Sequence, residues 1–478
     1  MLRPPLTLLV AATALLIHLS PAVAETAADA TGKGESPATG PLLQAALDGP
    51  LAKVEHVVFA VRNPVQRHYY ENFGYYLLPP GGYPYPPAGE SRPGPAQYSG
   101  NGRLCLLNLR SGEVTTLLDD PEGAVRDPQV HYDGRKMVFS YRRGGESFFH
   151  LYEMDIDGTN LTQLTDGLFD DVEPAYAPDG GILFCSTRCR RMVGCNPSPV
   201  ATLYRCEADG SGIRELSPGA FTENTPWMLP DGRVLFTRWE YVDRNQLSYH
   251  HLWACNPDGT RQMVYFGNQY QGAGAPVPRF SDVAMLGAKP IPGTNTIVAS
   301  FSPGHGRAEH QGFITVVTPA LGPDSLGSAR KLNSQRQFRD PYPVSADCFF
   351  VADKEGLWLM DDQGHTERIF ALTEEERKAG AECHEPRPLR SRPREFAMPP
   401  VVDMASPTGV VTLSDIYRGR NMEGVQRGEI KRLLILEQLP KPVQFSGGQE
   451  PLSIGGTFAL ERVLGTVPVE PDGSAHME

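Results

Sequence analysis

From about residue 100 onward, apolar positions come in short runs broken by Pro, Asp and Gly. One phrase recurs: a residue before Pro, a Pro-Asp-Gly or Asp-Gly turn, and an apolar strand. Glu173-Pro174 leads through Pro178, Asp179 and Gly180 to Ile182 through Ser186. Asp127-Pro128 leads through Asp133 and Gly134 to the run from Lys136 to Ser140. Thr225-Pro226 leads through Asp231 and Gly232 to Val234 through Thr237. Lys289-Pro290 leads through Gly293 to Thr296 through Ser300, and Asp340-Pro341 and Glu385-Pro386 open weaker copies. The prolines are spaced by 46, 52, 64, 51 and 45 residues.

A second phrase follows the first at a fixed remove. Leu151, Leu203 and Leu252 each open a strand that runs into an Asp-Gly turn, at Asp157-Gly158, Asp209-Gly210 and Asp258-Gly259. Asp-Gly supplies the positive φ of a tight hairpin. A period of about 40–50 residues containing four short strands marks a propeller blade, and blades bury their faces only by stacking around an axis. The expected fold is all-β: a β-propeller of six or seven four-stranded blades over residues 51–440, then a small β-rich segment over 441–478. Strands at 410–417 and 430–438 are expected to complete a last blade.

The N-terminus points to export. Arg3, the apolar run from Leu6 to Leu19 and the small residues Ala22 and Ala24 form a signal-peptide pattern over residues 1–24, with cleavage after Ala24. Residues 25–50 read as a flexible linker. The expected location is the periplasm or the exterior, with no membrane span after cleavage. A formal charge of −12 argues against nucleic acid, whose phosphates need a basic stripe. Of eight cysteines, Cys189 and Cys195 share one loop and form the disulfide candidate. Cys206 and Cys255 occupy equivalent repeat positions and read as packed free thiols.

The repeat also maps candidate chemistry. Starts of innermost strands surround the mouth of a propeller channel, which makes Arg126, Asp127, Glu173, Arg339, Asp340 and Glu385 the ligand-binding candidates. The carboxylates either cap backbone amides or face a ligand. The two arginines either pair with them or receive an anion. Long loops between second and third strands open on the same face, where loops on a rigid scaffold build sites. They bring His250, His251, His305 and His310 toward His384 and Cys383, with His68 from an insertion at 61–100. These His and Cys residues suit zinc or another divalent metal, although their spacing matches no metal motif. The chain has no Gly-x-Ser-x-Gly elbow, phosphate loop or His-Glu-x-x-His. It has no Cys-x-x-Cys-His, so it attaches no c-type haem in the usual way.

Longer stretches carry a resemblance. They include residues 126–134, 224–233 and 238–244, His250 through Trp253, Phe301 through Arg307, Ile416 through Met422 and Leu464 through Ser474. Together they resemble exported planctomycete-type proteins related to the hydrazine synthase alpha subunit, and the blades resemble TolB repeats. The resemblance implies a propeller followed by the start of a middle domain, whose haem-attaching motif would come after the Pro-Asp-Gly-Ser segment at 471–474. The expected function is an exported binding module for a protein partner, small ligand or metal on its loop face. The alternative is a subunit or remnant of a haem- or metal-dependent periplasmic oxidoreductase.

Overall fold

The computed structural model describes residues 40–64, 100–191, 199–219, 222–240, 250–267, 284–303, 311–323, 325–403, 405–419, 422–439 and 460–478. Within them the chain forms six four-stranded antiparallel blades, the third and fourth joined by a parallel bridge between His250 and Ala284. The innermost strands of blades one to six are Ala124–Val130, Asp171–Tyr176, Glu223–Met228, Ala284–Pro290, Arg339–Ser345 and Glu382–Pro388. Each innermost strand packs against the next, and the sixth packs against the first.

Blade six closes the ring. Its innermost strand comes from the C-terminal end of the repeat, and its other three, His56–Arg62, Gly102–Asn108 and Val114–Asp120, come from the N-terminal end. Val57 pairs with Pro388 and Arg62 with Glu382. The strands after residue 410 therefore do not complete a blade. Arg432–Leu439 pairs with Leu460–Pro468, and Val411–Leu413 with Ala475–Met477, in two separate hairpin-like sheets.

Each blade is covered on both faces by its neighbours, so second strands are buried along most of their length. Ile182–Ser186 is wholly buried, while the outermost strand Thr162–Gln163 is exposed. Apolar clusters bridge successive blades. Val138 and Leu151 meet Ile182 and Phe184 between blades one and two. Leu235 and Leu252 meet Met285 and Phe301 between blades three and four. Val58 and Leu104 meet Val125 and Phe139 where blade six meets blade one. Burying a phenylalanine of this kind contributes roughly 1.5–3 kcal/mol.

One further expectation changes. Part of the stretch read as a linker is the helix Pro41–Asp48, whose Leu43, Ala46 and Leu47 are buried against the cluster holding Leu357 and Ile369. A short acidic helix, Glu374–Lys378, is started by a capping box between Thr373 and Glu376. Residues 1–24, with the signal peptide, lie outside the described residues. Among the described residues no helix is long and apolar enough to cross a membrane.

Candidate functional site

Every innermost strand carries a bulge at the same place. Register shifts fall between Arg126 and Gln129, Val172 and Ala175, Asn224 and Trp227, Leu286 and Lys289, and Arg339 and Tyr342. The sixth falls opposite Val58 to Ala60, between His384 and Arg387. One residue in each bulge is left-handed: Asp127 (φ 59°), Glu173 (57°), Thr225 (51°), Gly287 (64°), Asp340 (54°) and Glu385 (48°). Non-glycine residues at such φ are strained by about 1–3 kcal/mol, so they persist where their surroundings repay it. In blade four the repeat aligns on Gly287-Ala288 rather than on Lys289-Pro290. Lys289 thus shares its position with Gln129, Trp227, Tyr342 and Arg387.

The repayment is a ring of hydrogen bonds around the axis. Each bulge side chain accepts the backbone N–H of the bulge residue in the next blade. Glu173 N–H donates to Asp127 Oδ2 at 3.1 Å, and Thr225 N–H to Glu173 Oε2 at 2.5 Å. Gly287 N–H donates to Thr225 Oγ1 at 3.1 Å. Glu385 N–H donates to Asp340 Oδ2 at 3.2 Å, and Asp127 N–H to Glu385 Oε2 at 3.3 Å. Side-chain acceptors thus satisfy amides that the bulges withdraw from the strand ladders.

The ring encloses an axial cavity of about 70 Å³. All six ligand-binding candidates, Arg126, Asp127, Glu173, Arg339, Asp340 and Glu385, line it. Asp127, Glu173, Asp340 and Glu385 lie at the bulges, inside the innermost strands, with Arg126 just before the first of them, while Arg339 opens its strand. Lys289, which the repeat places at the channel mouth, lines it too, as do Arg62 and Arg387, neither of which the sequence reading assigned to the site. Arg387 could have been found by aligning the second residue after each bulge position. Arg62 had no such signal, because it enters from the N-terminal strand that closes the ring.

Arg62 holds Glu385 through two hydrogen bonds, of 3.0 and 2.8 Å. Arg126 bonds Asp127 Oδ2 at 2.7 Å and reaches Glu173 at 3.4 Å. Arg339 pairs with Glu382 at 2.7 Å. Burial, followed by repulsion from Asp127, pushes the Glu173 carboxyl up to about 7. Burial alone would raise Glu385 as well, but the Arg62 guanidinium brings it down to about 2. Asp340 is raised by burial and by the nearby Glu385.

The metal candidates separate. His250 and His251 open the third strand of blade three, where His250 stacks on Trp239 with centroids 5.3 Å apart. His384 and Cys383 are on the innermost strand of blade six, and the order of neighbours places blades three and six opposite each other. The convergence expected of His250, His251 and His384 does not occur, because strand pairing fixes the two groups in different blades. Cys383 is buried in an apolar cluster with Cys105. His68, His305 and His310 lie outside the described residues.

His384 does meet Asp340 and Glu385, with one donor atom of each within 4.8 Å of the others. The surroundings suit a divalent cation poorly. Both Glu385 oxygens are engaged by Arg62, and Arg339 Nη2 lies 3.4 Å from His384 Nε2. Burial and the Arg339, Arg62 and Arg126 charges hold His384 well below its ordinary value, hence neutral. The Cys189 thiol donates to the Val200 carbonyl at 3.2 Å, and its proposed partner Cys195 is outside the described residues.

A larger pocket of about 690 Å³ lies beyond Trp227 and Lys289, which line both cavities. Its other walls include Tyr342 and the segment 390–396. That segment crosses the face formed by the turns between first and second strands. Arg392 N–H donates to the Tyr132 carbonyl at 2.9 Å, and the Arg392 guanidinium stacks over the Tyr132 ring at 3.9 Å. This is the face opposite the long loops between second and third strands.

No protein-family model matches the chain. A 110-residue stretch is 31% identical to an uncharacterised protein of Agrobacterium fabrum, covering 23% of this chain and 34% of that one. An 82-residue stretch is 34% identical to the hydrazine synthase alpha subunit of Kuenenia stuttgartiensis, covering 17% of this chain and 10% of that one. The matched stretches thus span about a third and a tenth of those relatives. The solved hydrazine synthase of Kuenenia stuttgartiensis superimposes with a TM-score of 0.68 at 18% identity, over 89% of this chain and 64% of that one. The chain resembles the hydrazine synthase alpha subunit. TolB from Acinetobacter baumannii also aligns, with a TM-score of 0.46 at 12% identity over 71% of this chain.

Proposed function

We propose that this protein is an exported propeller module that binds a small polar ligand on its axis. The ligand enters through the pocket beneath Trp227 and Lys289 and reaches the cavity inside the ring. The supporting observation is that charged side chains from several blades, Arg126, Glu173, Lys289, Asp340 and Arg387 among them, point into one concave space. A buried concave site with a few convergent polar groups is the usual form of a small-molecule site. The test is a thermal-shift and Trp-fluorescence survey of the purified chain against small carboxylates, phosphates, amines and sugars. A ligand that raises the melting temperature of the parent but not of a Trp227→Ala variant supports the reading. The absence of any response at millimolar concentrations overturns it. Export is tested by sequencing the N-terminus of the protein in the periplasmic fraction, with Glu25 expected first.

A second reading, a subunit of a larger assembly, draws on the hairpin after the propeller. Leu434, Leu436, Val463 and Leu464 are 42–62% exposed there, and the Kuenenia relative is named as a subunit. An assembly would show as a mass above 52.3 kDa in light scattering of the protein purified from its own host. A monomeric mass would count against it.

A further inference from the structure

The ring has one missing link. Gly287 has no side chain, so among the described residues the N–H of Asp340 in blade five receives no acceptor from blade four, while its five counterparts do. The place is open rather than filled by neighbours. A Cβ built on Gly287 would lie 3.7 Å from Pro341 Cδ and 3.9 Å from Lys289 Nζ, ordinary contact distances.

Charge gathers at the same point. Lys289 is 5% exposed and Arg387 4% exposed, and both line the cavity. Among the described residues neither has a carboxylate oxygen within 4.0 Å. Lys289 Nζ donates to the Gly287 carbonyl at 3.0 Å and stands 5.1 Å from the centroid of Trp227. Arg387 donates to the Pro386 carbonyl at 2.9 Å and to Gln129 Oε1 at 3.4 Å. The other three guanidiniums of the cavity, Arg62, Arg126 and Arg339, each have a carboxylate partner. Buried charges are ordinarily paired; burial and the neighbouring Arg387 charge hold Lys289 well below its ordinary value, so Arg387, Lys289 and the open N–H together make a receptor for an anion, whose charge draws a proton back onto the amine.

We propose that the axial cavity binds a small monocarboxylate, one of whose oxygens takes the acceptor place vacant at Gly287. It accepts from Asp340 N–H and Lys289, and its charge answers Lys289 and Arg387. The proposal rests on the axial-ligand reading and adds the chemical class and the subsite. A volume near 70 Å³ suits an ion of the size of formate or acetate. Binding also raises stability, because the ligand completes the ring only in the folded state.

The test uses the full chain and acetate or formate, titrated at constant ionic strength against chloride, with methylammonium as the cationic control. Calorimetry and melting temperature are read together. Carboxylate binding is expected in the parent and absent with chloride or methylammonium. Gly287→Thr, which installs the side chain that Thr225 provides one blade earlier, should weaken acetate by about tenfold or more. Lys289→Met should weaken acetate similarly, so the test does not depend on one variant folding. Acetate binding unchanged in both variants overturns the proposal, as does a parent that does not distinguish acetate from chloride. If a sugar or amine binds in the Trp227-dependent manner while acetate does not, the carboxylate assignment falls and the axial-ligand reading stands. If nothing binds, both fall.

Discussion

Arg62 and Glu385, 323 residues apart in the chain, meet through two parallel hydrogen bonds inside blade six. The pair joins the strand that opens the propeller to the strand that ends it, and Glu385 then accepts the amide of Asp127 in blade one. Ring closure is thus tied to the axial charges.

Removing one partner of this pair should be severe. Arg62→Ala leaves a buried carboxylate without its counter-ion, at an expected cost of about 3–5 kcal/mol. Urea unfolding is the measurement, and adding Glu385→Gln should recover a substantial part of the loss. A single-variant loss below about 1 kcal/mol would show that the pair does not hold the closure.

The two flanking carboxylates give opposite pH dependences. Glu173 titrates near 7 in the fold and near its ordinary value when unfolded. Between these values the native state keeps a proton that the unfolded state has lost, so stability falls as pH rises from about 4.5 to 7. Glu173→Gln keeps an acceptor for Thr225 N–H and removes this slope. The variant should gain on the parent by on the order of 3 kcal/mol across that window. Glu385, held down to about 2, contributes stability above its ordinary value that is lost as pH falls toward 2. Parallel unfolding curves at pH 4.5 and 7.5 for parent and Glu173→Gln would refute the first assignment.

The ring itself is testable at Thr225. Thr225→Ala deprives the Gly287 amide of its acceptor and should cost about 1–3 kcal/mol. Thr225→Ser keeps the hydroxyl and should cost much less. Equal losses in the two variants would mean that the hydrogen bond contributes nothing beyond packing.

The buried cysteines should be reduced and slow to react. Cys105, Cys185, Cys206, Cys255, Cys348 and Cys383 are free and buried, and burial pushes the Cys105 thiol up to about 11 and the Cys206 thiol up to about 12. Iodoacetamide should label these six thiols only after denaturation, and without reductant, as read by peptide mass spectrometry. A missing label on any of them would reveal a disulfide.

The blades were legible because each is a local unit. Alternating turns and apolar runs need only neighbouring residues, and the left-handed glycines expected at Gly134, Gly158, Gly180, Gly210, Gly232 and Gly259 are all present at φ 74–100°. Four carboxylates preceding Pro also announced the axial site, since the bulge is written into one strand. Other features depend on partners distant in sequence. Six blades close because His56–Arg62 pairs with Glu382–Pro388, and no local pattern encodes that pairing. Bulge register is set by the second strand, which is why Lys289-Pro290 looked like the repeat when Gly287 holds the position. Residue types and turns were thus determined by the sequence itself. The choice of neighbours, the break at Gly287 and the meeting of Arg62, Lys289 and Arg387 were decided by the tertiary structure, because hydrogen bonds and charges act across space between strands that only ring closure brings together.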